Sequence, residues 1–162
     1  MKRVAIAFSG PSNNGKTTLI CKVAKKFIDD GLKVVIVKHD PKDKAKFDTE
    51  GKDSFKFSAL GADVVVTSPT RTTYFSQENM QISQIIKMVD EFDILIVEGL
   101  KTLPLPRISL FLDNIDEGYL PFSNAIASNL DFEIMKKFNL PCFDINDTNG
   151  VCEWILDNAK KV

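Results

Sequence analysis

Apolar residues along this chain fall into short continuous runs and longer periodic ones. The continuous runs are residues 4–8, 33–40, 63–68, 93–101 and 140–145. Their length and β-branched content predict strands. Two more strands are predicted at 72–75 and 123–128, and residues 107–112 alternate as a further strand, either within the main sheet or in a small projecting hairpin. The periodic stretches predict helices. Residues 17–30 carry Leu19, Ile20, Val23, Ala24 and Phe27 at helical spacing, with Gly31 as a stop, and residues 79–91 carry Met80, Ile82, Ile85, Ile86 and Val89. Helices also fit 131–138, capped by Asp131, and 149–160. Another starts at a cap on Asp53 or Ser54 and runs to Ala59, with Gly61 as its stop. Residues 41–50 are polar and aperiodic, so they read as a loop that orders when a ligand or partner binds.

Strand, helix and strand within the first forty residues make a βαβ unit, hence a parallel sheet with a right-handed crossover. The expected fold class is α/β, a three-layer P-loop NTPase with a mostly parallel sheet. At 162 residues the chain is expected to form a single nucleotide-binding domain, residues 1–162.

The first turn of this unit carries the chemistry. Gly10-x-x-x-x-Gly15-Lys16-Thr17 follows an apolar strand and opens a helix, which is the context a phosphate-binding loop requires. The glycines allow a tight turn without a Cβ near the ligand. Loop N–H groups and the positive end of the helix dipole then face an anion. The candidate nucleotide-binding residues are Gly10, Ser12, Asn13, Asn14, Gly15, Lys16, Thr17 and Thr18. Lys16 is expected to reach the β and γ phosphates, and the Thr17 hydroxyl to ligate Mg²⁺.

The run 93–101 has an acid near each end, Asp93 and Glu98. Five residues of strand separate them by roughly 16 Å, so only one can serve the phosphate site. In a parallel sheet that is the carboxyl end, which selects Glu98 and leaves Asp93 as a solvated strand-start residue. Mg²⁺ wants hard oxygen ligands, and the candidates are Thr17, Asp40 and Glu98. Asp40 precedes Pro41 and reads equally as a turn residue. His39 stands open between a structural role and a ligand contact. Arg71 is either a phosphate contact across a subunit boundary or an ordinary surface residue. Asp48-x-x-Gly51 resembles a γ-phosphate sensor only weakly, and Asn146-Asp147 fits turn chemistry as well as base reading.

Composition narrows the classes. The net charge is −1 and no basic tract stands out, so no nucleic-acid surface is suggested. No apolar run is long enough to span a membrane, and no signal peptide is evident. The three cysteines, Cys21, Cys142 and Cys152, are not in C-x-x-C pairs and read as plain thiols in a reducing cytoplasm. One histidine and scattered cysteines weigh against a metal-delivering GTPase.

Taken together, these residues resemble the molybdopterin-guanine dinucleotide biosynthesis protein B family. The resemblance rests on the phosphate loop, Lys38-His39, Asp48-x-x-Gly51-Lys52-Asp53-Ser54, Gly61-Ala62, Glu98-Gly99-Leu100-Lys101 and Leu105-Pro106-Arg107-Ile108. It implies a cytoplasmic, homodimeric GTP-binding adapter in molybdenum cofactor biosynthesis, with Mg²⁺ and GTP at the phosphate loop. Such proteins assist the nucleotidyltransferase that attaches GMP to molybdopterin, and hydrolyse GTP slowly at best. The sequence departs from the family in lacking a second histidine after Lys38-His39, and in reading Ala125-Ile-Ala-Ser-Asn129 where the family has an aspartate. The choice of guanine therefore rests on the resemblance and not on a base-reading motif. The alternative is a P-loop small-molecule kinase using ATP or GTP. With three arginines, Arg3, Arg71 and Arg107, the chain has no stretch that reads as the lid such a kinase closes.

Overall fold

The computed structural model describes residues 3–162. The chain runs through β1 (Val4–Ser9), α1 (Lys16–Asp29) and β2 (Val34–Lys38), then α2 (Asp53–Ala59), β3 (Val64–Thr67), β4 (Thr72–Phe75) and α3 (Ile82–Val89). It continues as β5 (Ile94–Glu98), β6 (Arg107–Phe111), β7 (Ala125–Ser128), α4 (Phe132–Met135), β8 (Cys142–Asp144), α5 (Thr148–Asn158) and β9 (Lys160–Lys161). These elements form two compact units. One holds the chain up to His39 together with Val89–Val162, and the other is Asp40–Met88.

The first unit is built on a sheet ordered β2-β5-β1-β6-β7-β8, with β9 also paired to β1. Every neighbouring pair is parallel except β1 with β9. The register is continuous across its centre, with Phe8 opposite Glu98 and Glu98 opposite Lys38. The chain leaves β1 towards one edge through β2, and leaves β6 towards the other through β7 and β8. That reversal opens a crevice at the carboxyl ends of β1 and β6, where open α/β sheets bind ligands.

Burial explains why the central strands read as continuous apolar runs. Ala5, Ile6, Ala7 and Phe8 of β1 and Leu95, Ile96 and Val97 of β5 are wholly inaccessible, and α1 seals one face with Leu19, Ile20, Val23, Ala24 and Phe27. Each large side chain buried this way stabilises the fold by about 1.5–3 kcal/mol. A smaller cluster of Phe111, Ile126 and Met135 packs with Ile115, Tyr119, Leu130 and Phe138.

The second unit contains the antiparallel hairpin β3–β4, in register from Val64 opposite Phe75 to Thr67 opposite Thr72. The hairpin is therefore here, and residues 107–111 are an interior strand of the main sheet.

Other expectations need correction. Neither Asp53 nor Ser54 caps α2. Lys52 is the cap residue and makes no side-chain cap bond, while Ser54 Oγ donates to Asp48 at 3.0 Å. The helix predicted at 79–91 is confined to Ile82–Val89. The stretch after Asp131 gives one α-helical turn and then a 3-10 turn, although Asp131 does cap it by accepting from the Glu133 N–H. Lys160 lies in β9, because Ala159 adopts an extended conformation that ends α5.

Candidate functional site

The chain leaves β1 at Ser9 and turns through residues 10–15 onto the start of α1. Gly10 has φ +133°, and a Cβ there would be driven into the backbone carbonyl of Leu110 in β6. Only glycine lets the loop pass that close to the neighbouring strand. Asn14 fixes the far side of the loop. Its Oδ1 accepts from the Leu112 N–H at 2.6 Å, and its Nδ2 donates to the Ser12 carbonyl at 3.1 Å. Asn13 and Gly15 both have positive φ, the arrangement that turns successive N–H groups towards one side.

Helix α1 begins without a side-chain cap and has no acidic residue in its first turn. Its first N–H groups thus remain available to an anion, with the helix dipole in support. Thr17 and Thr18 are exposed on that first turn, as are Ser12 and Asn13 on the loop. Lys16 folds back over the loop, donating to the carbonyls of Gly10 at 3.0 Å and Pro11 at 2.6 Å. Burial holds the Lys16 ammonium below the ordinary lysine value; Glu98 opposes this and Lys38 adds to it. Lys16, Glu98 and Lys38 thus share one electrostatic neighbourhood at the carboxyl ends of β1, β5 and β2.

Glu98 ends β5 with its side chain only 12% exposed, and Lys38 Nζ lies 3.1 Å from its Oε2. The lysine is 64% exposed, so the pair contributes at most about 1 kcal/mol and leaves the carboxylate free to change partners. His39 is exposed, and its N–H continues the ladder by donating to the Glu98 carbonyl at 3.0 Å. Asp40 begins the second unit. Its carboxylate accepts from the N–H groups of Lys42, Lys44 and Ala45, the turn role expected of a residue before Pro41.

Asp93 differs from its expected place. It is 6% exposed, and its Oδ2 accepts from the Lys33 N–H at 2.8 Å. The carboxylate ties the entry of β2 to the entry of β5. Its distance in sequence from Lys33 kept that pairing out of view.

Asn146 Oδ1 accepts from Lys22, and Asp147 caps α5 through the Gly150 N–H. Asn129 Oδ1 accepts from the Asp113 N–H at 3.2 Å. Asp147 thus does cap chemistry, while Asn146 and Asn129 each pair with a residue distant in sequence.

Sequence reasoning counted Arg107 in the Leu105-Pro106-Arg107-Ile108 step but gave it no role at the site. It is wholly buried in β6, and its guanidinium donates to the carbonyls of Gly99 at 3.0 Å, Leu100 at 2.9 Å and Leu103 at 3.1 Å. Desolvation lowers its pKa, yet an arginine stays charged in any protein setting. A signal for its burial was present in the sequence, a charged residue at the head of an otherwise largely apolar strand. Ser9, Ser109 and Ser123 form a second hidden polar feature, with hydroxyl contacts of 3.0 and 2.6 Å.

Residues 5–129 match the family model described as molybdopterin guanine dinucleotide synthesis protein B, MobB. The chain is similar to the molybdopterin-guanine dinucleotide biosynthesis adapter protein of Escherichia coli K12, at 26% identity over 96% of this chain and 93% of that one. It is also similar to a probable adapter protein of the same description from Bacillus subtilis 168, at 30% identity over 93% of this chain and 90% of that one. The crystal structure of Bacillus subtilis MobB has the same fold, with a TM-score of 0.79, 24% identity and coverage of 97% of this chain and 98% of that one.

Proposed function

Because this chain belongs to the MobB family, we propose that it is a GTP-binding adapter in the biosynthesis of molybdopterin guanine dinucleotide. On this reading it acts beside the nucleotidyltransferase that attaches GMP to molybdopterin. Residues 1–162 work as one nucleotide-binding protein, with Asp40–Met88 inserted between β2 and β5.

The observation that carries the reading is the phosphate loop, with an uncapped α1 behind it and Glu98 at the adjacent strand end. Gly10, Ser12, Asn13, Asn14, Gly15, Lys16, Thr17 and Thr18 would cradle the phosphates. Lys16 would exchange its two loop carbonyls for phosphate oxygens, a charge-assisted bond about twice as strong as a neutral one.

The donor set suits Mg²⁺. The Thr17 hydroxyl and the Glu98 carboxylate are hard oxygens, and Mg²⁺ keeps several waters and takes phosphate oxygens for the remaining positions. Bound there, the ion would neutralise charge on the β and γ phosphates. Asp40 is a third candidate ligand, provided it gives up its turn bonds. Turnover would be slow, since Arg107 is committed to backbone carbonyls and is not offered to a transferring phosphate.

A homodimer completes the proposal. Its support is the apolar surface of Asp40–Met88, where Phe47, Phe57, Leu60 and Val65 are more than half exposed. Cytoplasmic work fits the observation that no helix among the described residues is long and apolar enough to cross a membrane.

Calorimetric titration with GTP and with ATP, each with Mg²⁺, tests the reading. Preference for GTP by tenfold or more, about 1.4 kcal/mol, is the expected outcome. Equal or tighter binding of ATP would replace the adapter with a small-molecule kinase.

A further inference from the structure

Arg107 is an expensive residue to bury. A guanidinium without water must have its donors met, and an apolar side chain of similar volume would fill the same space without that requirement. Its acceptors here are three carbonyls from one short loop, Gly99, Leu100 and Leu103. The charge therefore shapes that loop.

The loop needs shaping. Gly99 has φ +94° and Leu100 has φ +48°, two successive residues in the left-handed region. A Cβ at Gly99 would come within 3.2 Å of His39 Cβ, so glycine suits that position, but Leu100 carries a Cβ in a conformation it rarely adopts. Such strain persists only where surrounding contacts over-determine it. Here the fork of Arg107 grips the carbonyls of both residues, and the Leu103 N–H closes the turn onto the Leu100 carbonyl at 2.9 Å.

The residue immediately before this turn is Glu98. Its own carbonyl is held by the His39 N–H, and the following N–H, from Gly99, donates to Phe8 at 2.9 Å. The sheet thus fixes Glu98 from one side and the clamped turn fixes it from the other. Relaxing residues 99 and 100 towards common φ values would rotate the peptide after Glu98 and carry its carboxylate with it. Mg²⁺ tolerates little departure from octahedral geometry.

We propose that Arg107 is a positioning residue that, by clamping the left-handed turn at Gly99–Leu100, holds the Glu98 carboxylate in place for the Mg²⁺–nucleotide complex. The inference rests on the nucleotide reading given above. A lysine could keep the charge but not the fork, whose planar geometry serves three acceptors at once.

The test compares wild type, Arg107→Lys, Glu98→Gln and the double variant. GTP affinity is measured with Mg²⁺ and with EDTA, and amide hydrogen exchange is followed in the nucleotide-free protein. Arg107→Lys is expected to speed exchange at Leu100–Leu103, to change the EDTA affinity less than twofold, and to remove about tenfold of the gain that Mg²⁺ gives. Adding it to Glu98→Gln should cost nothing further. A parallel fall in both affinities, or a loss that adds to that of Glu98→Gln, would overturn the proposal and leave Arg107 a purely structural residue.

If Arg107→Lys does not fold, Leu100→Val attacks the same turn, since a β-branched residue resists positive φ. Retention of the full Mg²⁺ gain by Leu100→Val would equally overturn it. A wild type without Mg²⁺-dependent GTP binding would remove the functional reading itself. An intact Mg²⁺ gain in Arg107→Lys would remove only this inference.

Discussion

The sheet that carries the phosphate loop and the segment Asp40–Met88 are held together by different means. In the first unit, β1, β5, β6 and β7 are almost entirely hidden, and two apolar clusters account for their cohesion. In the second, Val64 is the one residue among those described that falls in the buried class, at 8% exposure. Its helix α2 has no buried residue. What joins it is polar. Asp63 accepts from the Tyr74 hydroxyl and the Gln77 N–H, Gln77 reaches Ser58 Oγ at 2.8 Å, and Asp48 holds Ser54. A two-stranded hairpin with so small a core is marginal on its own. The first unit is held by apolar packing, whereas the second is joined by polar bonds and presents apolar surface.

Large-to-small substitutions should expose this contrast most strongly. Ile96→Ala in β5 is expected to cost about 4 kcal/mol, and Leu60→Ala in the second unit under about 0.5 kcal/mol, by chemical denaturation at dilutions where the protein is monomeric. Comparable losses at the two positions would mean that Leu60 is packed in solution. Next in size is Lys16→Ala, which should weaken GTP binding at least about 100-fold, or about 2.7 kcal/mol. Its circular dichroism should match wild type, because the Lys16 ammonium donates to carbonyls of its own loop and ties no distant element in place. Undiminished affinity would take the nucleotide out of the first unit.

A third test addresses the exposed face. The paired change Phe57→Ser and Leu60→Ser should shift the protein towards monomer by at least tenfold in dissociation constant, read by light scattering over a dilution series. A wild type that is monomeric with and without nucleotide would remove the dimer.

The smallest effect concerns acid. The Tyr74 hydroxyl, and then the Gln77 N–H, hold the Asp63 carboxyl below its ordinary value. A carboxylate with a lowered folded-state pKa stabilises above its unfolded value, and that contribution disappears as pH falls through the lowered one. Tyr74→Phe should therefore raise the Asp63 midpoint towards the usual carboxylate range in an NMR titration. An unmoved midpoint would show that the hydroxyl is not what holds it.

Much of the first unit was legible because its signals are local. The phosphate loop is a spacing rule, and the runs at 4–8 and 93–98 announce strands covered on both faces. Features that depend on a distant partner were not legible. Asp93 reads as solvated until Lys33 is placed beside it. Residues 107–111 alternate polar and apolar, yet all are buried, because Ser109 meets the hydroxyls of Ser9 and Ser123, and Arg107 meets carbonyls that no sequence displays. The 3-10 turn Glu117–Phe122 has no periodicity to reveal it, and β9 is two lysines whose pairing owes nothing to side-chain pattern. At the site, the loop residues and Glu98 were named from sequence, while the clamp that fixes the turn after Glu98 was not.

The pairing of β1 bears on how the chain is made. Val4 lies opposite Ile94 on one side and Lys161 on the other, and Ala7 lies opposite Arg107. Every neighbour of this apolar strand is thus encoded beyond the middle of the chain. During synthesis, the segment destined to carry the phosphate loop waits with its backbone unpaired until β5 has emerged, and its outer edge is closed only when residue 161 arrives. A strand in that position is open to association with other nascent chains. The order of translation thus leaves a strand that is deeply packed in the finished protein vulnerable while the chain is growing.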